Sequence, residues 1–322
     1  MNKVTIATAL TLILAGCGSD APPAAPAAPA APTAAAAPAA AAKPAADQPA
    51  QPPPPVSADQ MVGQKIDQVL AGDWRSDKNK ARDQYRHPKQ TLEFFGVKSG
   101  TTLIELTPGG GWYAEVLAPL MKGSGNYIAA ILTPKKKEGE DAQDMDALSK
   151  KFAGDAAEYG DAKVEQFDLK APNLGPPGSA DMVVTFRNVH NWVSGGTAPQ
   201  MFKAFFDVLK PGGVLGVEDH RAAEGADVEK TKEKGYLPTD YVIKLATDAG
   251  FKLKAQSEIN ANPKDTKDYE KGVWTLPPTF ELGDTDHDKY AAIGESDRMT
   301  LKFVKPNGAD EIFHQGNDSG SN

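Results

Sequence analysis

The stretch that decides the fold is residues 101–112, which read TTLIELTPGGGW. Its first half is rich in β-branched and aliphatic residues, a composition typical of a buried strand. Its second half is a proline followed by three glycines, and a helical pattern continues over residues 112–121. Glycines let the chain turn tightly and let a ligand approach the backbone closely. The stretch therefore predicts a strand–turn–helix unit with a candidate ligand-binding turn.

The same alternation of strand and helix extends along the rest of the chain. Alternating units favour right-handed crossovers and a mostly parallel sheet that is covered on both faces. We therefore predict a doubly wound α/β fold with seven strands and an N-terminal helical extension. Residues 260–297 break this rhythm and indicate an insertion or a lid. The other strands are predicted at residues 126–132, 162–167, 181–186, 214–217, 251–258 and 299–304, and the helices at residues 57–71, 76–95 (interrupted at Pro88), 112–121, 144–152, 199–209 and 239–249.

Candidate site residues follow four of the predicted strands. Ligands in an open parallel sheet bind beyond the carboxyl ends of the strands, so side chains placed there converge. Each residue also has a plainer interpretation, because a glycine turn can serve tight packing, Asp168 can cap a turn, and His190 and His220 can be ordinary polar residues at strand ends. The convergence of several such groups at one sheet edge indicates a functional site. The candidates are Glu105, Thr107, Gly109, Gly110 and Gly111 after the first strand, Asp168 after the third, Asn188 and His190 after the fourth, and Asp219 and His220 after the fifth.

The order of these motifs resembles that of class I S-adenosylmethionine-dependent methyltransferases, which have a Rossmann-like fold. The resemblance is carried by residues 103–111, by Asp168, by residues 180–192 and by the sequence LKPGG at residues 209–213. The last of these is the most specific, because it ends a helix directly before the fifth strand.

A narrower resemblance connects the chain to a group of exported bacterial proteins that are predicted methyltransferases. It is carried by ARDQYRHP at residues 81–88, PGGGWY at residues 108–113 and ESDR at residues 295–298.

The resemblance implies S-adenosylmethionine as the cofactor and methyl transfer to a small-molecule acceptor, without a metal. It implies that Glu105, Thr107, Gly109, Gly110, Gly111, Asp168 and Asn188 bind the cofactor. The catalytic candidates are His190 and His220, with the adjacent Asp219, because imidazoles titrate near neutrality and can act as the general base for a hydroxyl acceptor. The sequence departs from the family at two points. Thr107 stands where the family has glycine, and AAIL at residues 129–132 lacks the acidic residue that binds the ribose.

Three other functions remain open at this point. The pattern Gly109-x-Gly111-x-x-Ala114 matches a dinucleotide fingerprint, and the lysines at residues 135–137 suit the 2′-phosphate of NADP, as in an oxidoreductase. The missing acidic residue favours a non-catalytic module that binds an envelope ligand. A hydrolase with a metal on His190, Asp219 and His220 is the least favoured, because the chain has no close ligand motif such as HExxH.

The N-terminus predicts export and lipid attachment. Residues 1–16 have the positive start, apolar segment and small final residues of a signal peptide. LAGC at residues 14–17 resembles a lipobox, which implies acylation of Cys17 and a periplasm-facing lipoprotein in the cell envelope. Gly18 follows the cysteine, which by resemblance to proteobacterial lipoproteins favours the outer membrane.

Composition divides the rest of the chain into a tether, a domain and a tail. Residues 17–55 are rich in alanine and proline and predict a disordered, membrane-anchored tether. Residues 56–315 are long enough for one large domain, and residues 316–322 predict a disordered tail. The net charge is −8 with scattered lysines and arginines, which disfavours binding to nucleic acid.

Overall fold

The computed structural model describes residues 57–133 and 147–308. The predicted signal peptide, the lipidation site Cys17, the tether and the tail at residues 316–322 lie outside the described residues, as do the lysines at residues 135–137. In the described part of the chain, no helix has the length and apolar character needed to cross a membrane.

Seven strands within the described residues form one sheet. Along the sheet their order is β3-β2-β1-β4-β5-β7-β6, and β7 runs antiparallel to both of its neighbours. All other neighbours pair in parallel. The predicted doubly wound, Rossmann-like fold with seven mostly parallel strands is confirmed. The strands are β1 (Thr102–Leu106), β2 (Asn126–Leu132), β3 (Lys163–Phe167), β4 (Ala180–Phe186), β5 (Leu209–His220), β6 (Lys252–Ser257) and β7 (Arg298–Val304).

Helices precede the first strand and then separate the successive strands, except β3 and β4, which follow each other directly. The α-helices of the described residues are α1 (Ala58–Leu70), α2 (Asp77–Lys80), α3 (Asp83–Arg86), α4 (Pro88–Phe95), α5 (Ala114–Met121), α6 (Ala147–Gly154), α7 (Ala156–Tyr159), α8 (Val189–Ser194), α9 (Ala198–Val208), α10 (Val228–Thr231), α11 (Thr239–Asp248) and α12 (His287–Ile293). Two short 3₁₀ helices lie at Lys232–Lys234 and Gly272–Thr275.

The sheet separates two apolar cores. On β1, Ile104 and Leu106 lie in one core with Phe202 of α9, while Leu103 lies in the other with Leu117 of α5. This division follows from the two-residue period of a strand, which sends successive side chains to opposite faces. Helices on both faces also explain why residues 182–186 of β4 are all buried.

The N-terminal helical extension begins at the predicted cap. The Ser57 hydroxyl accepts the Gln60 N–H, and the Gln60 side chain accepts the Ser57 N–H, so two otherwise unpaired donors are satisfied. Further along α1, Ile66 and Val69 are buried in the same core as α5.

Two predicted element boundaries are wrong. Residues 76–95 form three short helices rather than one helix interrupted at Pro88. His87 has φ of +41° and ends α3, and Pro88 opens α4, where a missing N–H does no harm. The LKPGG sequence at residues 209–213 belongs to β5, because the backbone there already pairs with β4 across a register shift.

Candidate functional site

The candidate site lies where the strand order reverses, beyond the carboxyl ends of β1, β4 and β5. These three strands are adjacent in the sheet, so the fold brings together the residues that follow them. Asp168 follows β3 at the same edge, but β2 lies between β3 and β1. The predicted convergence therefore holds for the residues after β1, β4 and β5, and Asp168 lies further along the edge.

The turn after β1 has an unusual backbone. Thr107, Gly109 and Gly111 have φ values of +47°, +57° and +78°. Glycine adopts this region without strain, whereas a β-branched residue such as Thr107 does not. The Thr107 hydroxyl is also buried without a hydrogen-bond partner among the described residues. A strained residue with an unsatisfied hydroxyl at this turn marks Thr107 as a candidate ligand contact.

The three glycines differ in what surrounds them. A Cβ built on Gly109 or Gly110 would meet nothing within 4 Å. A Cβ on Gly111 would lie 3.3 Å from the Leu148 side chain. The resemblance implies that Gly111 contacts the cofactor, but a side chain at this position would meet Leu148, so the position faces the protein interior. Gly109 and Gly110 form the open surface of the turn.

Glu105 lies beneath the turn and is 2% exposed. The Tyr127 hydroxyl donates a hydrogen bond of 2.6 Å to its carboxylate. Burial raises the pKa of Glu105 to about 7, although the Tyr127 hydrogen bond and the charge of Arg187 lower it. A carboxyl group with this pKa can change its protonation state when a charged ligand arrives.

Asn188 joins the ends of β1 and β4. Its side-chain amide donates to the Leu106 carbonyl at 3.0 Å and to the Thr185 hydroxyl at 3.1 Å. The structure therefore places Asn188 beside the glycine turn, as predicted, and shows that its amide nitrogen holds the backbone there.

The two positions that the resemblance assigns to the adenine and the ribose of the cofactor offer fewer ligand contacts than the glycine turn. Asp168 is exposed, and its carboxylate accepts the Lys170 N–H at 2.8 Å, so it caps a turn. At the end of β2, Ala130 is buried and Leu132 is 38% exposed. The described end of this strand therefore offers no carboxylate to ribose hydroxyls.

His190 and Asp219 form a buried pair. His190 Nδ1 lies 2.8 Å from Asp219 Oδ1, and the His190 N–H donates to Asp219 Oδ2 at 3.0 Å. The His220 N–H donates to Asp219 Oδ1 at 2.7 Å. With the carboxylate ionised, His190 carries its ring proton on Nδ1, which leaves Nε2 as a proton acceptor.

His220 lies next to this pair. The two imidazole rings are 5.0 Å apart between centroids, and His220 Nδ1 lies 2.5 Å from the Ser296 hydroxyl. Burial lowers the pKa of His220 well below its usual value, and His190 and Arg187 lower it further. His220 is therefore neutral at pH 7, where it can donate or accept one hydrogen bond without carrying charge.

A cavity of about 280 Å³ opens onto both histidines. The insertion at residues 260–297 supplies one wall of this cavity, including Trp274, whose ring lies 6.1 Å from that of His190. Pro277, Pro278 and Ser296 line it as well. Closure of this segment over a ligand stays a prediction.

The arginines of this cavity are functional candidates that residue types and spacing did not reveal. Arg82, Arg86 and Arg187 line it together with Glu295. Arg82, Arg86 and Glu295 lie within residues 81–88 and 295–298, which carry the narrower resemblance. Neither motif has the residue spacing of a known type of binding or catalytic site, so their function could not be identified from the sequence.

Ligand atoms of His190, Asp219 and His220 all lie within 4.8 Å of one another, close enough to share a metal ion. The donor set favours proton handling instead. Both Asp219 oxygens already accept hydrogen bonds from His190 and His220, and the neighbouring guanidinium of Arg187 repels a cation.

No known family model and no curated protein sequence matches this chain. Similar solved structures include a SAM-dependent methyltransferase from Aquifex aeolicus, with 14% identity, a TM-score of 0.44, and coverage of 76% of this chain and 98% of the other. An arsenic(III) S-adenosylmethionine methyltransferase from Chlamydomonas reinhardtii has 17% identity, a TM-score of 0.45 and coverage of 76% and 73%. The [4+2]-cyclase SpnF has 18% identity, a TM-score of 0.48 and coverage of 78% and 97%. The assignment of the fold rests on the strand order of this chain itself.

Proposed function

We propose that this protein is an S-adenosylmethionine-dependent methyltransferase that acts on a small acceptor in the cell envelope. The observation that carries the proposal is the arrangement at the sheet edge. An open glycine turn follows β1, and a buried histidine–aspartate pair follows β4 and β5, with His190 lining a cavity. A cofactor cradle next to a proton acceptor is what methyl transfer to a hydroxyl or amine requires.

The residues after β1 fit the methionine end of the cofactor. Gly109 and Gly110 leave open space above the turn, and Thr107 has a buried hydroxyl that lacks a partner within the described residues. Glu105 provides a carboxyl group beneath them. The end of β2 fits less well, because its described residues offer no acceptor to the ribose.

When bound, S-adenosylmethionine supplies an electron-poor methyl group. The chain would hold it with Glu105, Thr107, Gly109, Gly110 and Asp168. Asp219 orients His190 and fixes its ring proton on Nδ1, so that Nε2 can accept the proton of the acceptor. His220 can orient the same acceptor as a neutral hydrogen-bonding group, and Trp274 excludes water from its side of the cavity.

A non-catalytic ligand-binding module is the second candidate, and the bare end of β2 favours it. Calorimetric titration of the full-length protein with S-adenosylmethionine, S-adenosylhomocysteine and NADPH separates the possibilities. Binding of both S-adenosyl compounds is expected, whereas binding of NADPH alone would point to an oxidoreductase, and binding of none would favour the ligand-binding module.

Gly110→Val is expected to weaken S-adenosylhomocysteine binding roughly 5- to 150-fold, because an inserted side chain in a filled site typically costs about 1–3 kcal/mol. Gly110 is exposed and has no positive φ, so the valine should leave folding intact. The measurement is the Kd by calorimetry, together with the unfolding midpoint.

Gly308→Val is the matched control. Gly308 also has open space around it. It follows the antiparallel strand β7, whose end pairs with Val214 near the start of β5, so it lies at the opposite edge of the sheet from the glycine turn. Equal affinity in the two variants would place the ligand away from the turn.

For the location, we propose a lipoprotein whose mature chain begins with acylated Cys17. The lipobox sequence and the alanine- and proline-rich residues 17–55 support this proposal. Mass spectrometry of the membrane-extracted protein is expected to show a lipid-sized increment on the N-terminal peptide. The increment should disappear in Cys17→Ser. A soluble chain that retains Gly16 would contradict the proposal.

A further inference from the structure

Three guanidinium groups face the cavity that contains the two histidines. Arg82, Arg86 and Arg187 line it, and one carboxylate, that of Glu295, lines it with them. Arg82 Nε lies 2.7 Å from Glu295 Oε1, and Arg86 Nε lies 3.0 Å from Glu295 Oε2. Arg82 and Arg86 therefore share a single carboxylate inside the cavity.

Two further charged residues, Arg298 and Glu218, lie behind the cavity, and together they do not balance the positive charge of the three arginines. Arg298 Nη1 lies 2.8 Å from Glu295 Oε2, and its Nε lies 3.0 Å from Glu218 Oε1. Arg187 Nη1 binds the same Glu218 oxygen at 3.1 Å. Four guanidiniums thus meet two carboxylates, which leaves an excess of two positive charges. The carboxylate of Asp219 lies beside the cavity as well, where it pairs with His190.

The excess charge is visible in the groups around the cavity. Arg82 Nη2 is buried and has no hydrogen-bond partner among the described residues. Burial lowers the pKa of Arg86 to about 9, with further lowering by the charges of Arg187, Arg82 and Arg298. A buried guanidinium atom without a partner is unfavourable unless a ligand satisfies it.

We propose that the arginine wall formed by Arg82, Arg86 and Arg187 binds an anionic group, a carboxylate or a phosphate, of the methyl acceptor. Planar guanidiniums recognise both groups through paired hydrogen bonds. The apolar side of the cavity at Trp274 and Pro277 can hold the uncharged body of a small molecule. An acceptor anchored in this way presents its nucleophilic atom to His190.

This inference deepens the proposed function, on which it rests for calling the ligand a methyl acceptor. Anion binding by the arginine wall does not depend on it. The other possible occupant of the wall is the carboxylate of the cofactor itself, and the experiment has to distinguish the two.

The test is calorimetric titration of the full-length protein with inorganic phosphate and, separately, with malonate. Saturable binding of at least one is expected, and the preferred anion identifies the acceptor group. Arg82→Gln is expected to weaken this binding about 10-fold or more, because it removes a charge-assisted contact. Glu295 keeps Arg86 and Arg298 in that variant, so the cavity should persist.

Arg221→Gln is the matched control. Arg221 pairs with Glu258 and Asp297 and does not line the cavity, so the same loss of charge should leave anion affinity unchanged. Failure of both anions to bind, or equal weakening in the two variants, would overturn the proposal.

Repeating the titration with saturating S-adenosylhomocysteine tests the identity of the occupant. Anion binding that persists supports an acceptor subsite, and competition between the two would assign the arginine wall to the cofactor and overturn it. If S-adenosylhomocysteine does not bind at all, the methyltransferase proposal fails, while the anion titrations of wild type and Arg82→Gln still report on the arginine wall.

Discussion

Replacing Glu295 with glutamine is expected to lower the unfolding midpoint by roughly 6–20 °C. Glu295 is 4% exposed, and its carboxylate binds Arg82, Arg86 and Arg298. Glutamine keeps the volume but removes the charge that the three guanidiniums share. Breaking a buried pair from one side costs about 3–5 kcal/mol, and each kcal/mol corresponds to about 2–4 °C in a domain of this size. Thermal unfolding followed by circular dichroism measures the shift.

The pH dependence of the difference in stability between the wild type and Glu295→Gln provides a second measurement. Burial raises the pKa of Glu295, but the charges of Arg86, Arg298 and Arg82 outweigh burial and bring it to about 2, below its ordinary 4.5. The stabilisation is therefore complete above pH 4.5 and is lost as the pH falls towards 2. The wild type and Glu295→Gln should converge in stability over that range.

Glu258→Gln is the control for the same chemical change at the surface. The Glu258 side chain is 72% exposed and pairs with Arg221, so its loss should cost at most about 1 kcal/mol. Similar midpoints for the two glutamine variants at pH 7 would show that the buried cluster around Glu295 adds no more than a surface pair.

Asp219→Asn is expected to slow methyl transfer about 100- to 10,000-fold, the range typical of general acid–base catalysis. Asparagine cannot hold the Nδ1 proton of His190 as the carboxylate does, so the tautomer with a basic Nε2 is no longer favoured. The rate is measured as transfer of radiolabel from S-adenosylmethionine to acceptors in an envelope extract.

Two further measurements separate chemistry from folding. The ¹⁵N resonances of the His190 ring should report the Nδ1–H tautomer in wild type and its loss in Asp219→Asn. The affinity for S-adenosylhomocysteine should remain unchanged. Asp207→Asn, at an exposed carboxylate paired with Lys203, is the matched control and should be fully active. A wild-type rate in a folded Asp219→Asn protein would exclude the His190–Asp219 pair as the base.

The sheet was predictable because its signals are local. β1 and β2 occupy the predicted residues within one position, since each is a short apolar run next to a glycine or a polar turn. The short helices α8 and α12 were not predicted. These helices have 6 and 7 residues, which is too short for a helical period to be recognised in the sequence. Helices of this length are stabilised mainly by packing.

The placement of the candidate site residues was predictable where it depended on topology and not where it depended on side-chain direction. The ends of β4 and β5 place His190, Asp219 and His220 together because adjacent parallel strands end at one edge. Gly111 was expected to face the ligand, yet its missing side chain faces Leu148. The direction of a position within a turn depends on backbone angles that residue types alone do not specify.

The arginine wall could not be predicted for a different reason. Arg82 and Glu295 are 213 positions apart in the sequence, and no periodic pattern relates them. Only the insertion of β7 between β5 and β6 brings the two motifs to one place. A cluster of charged residues that are so far apart in the sequence can be recognised only when the strand order of the sheet is known.

The position of β7 also determines when the pocket can exist during synthesis of the chain. The strand that carries Arg298 is the last in sequence among the described strands, yet it lies inside the sheet and covers the edge of β5. While residues up to 304 are still on the ribosome, β5 lacks one neighbour, and Glu218 lacks the guanidinium of Arg298. Pairings of such long sequence separation form slowly, because the intervening chain must first be brought together. A chain that ends before β7 therefore lacks the guanidinium of Arg298 and leaves one edge of β5 uncovered, so the charged pocket forms only after the parallel strands β1–β5 have been synthesised.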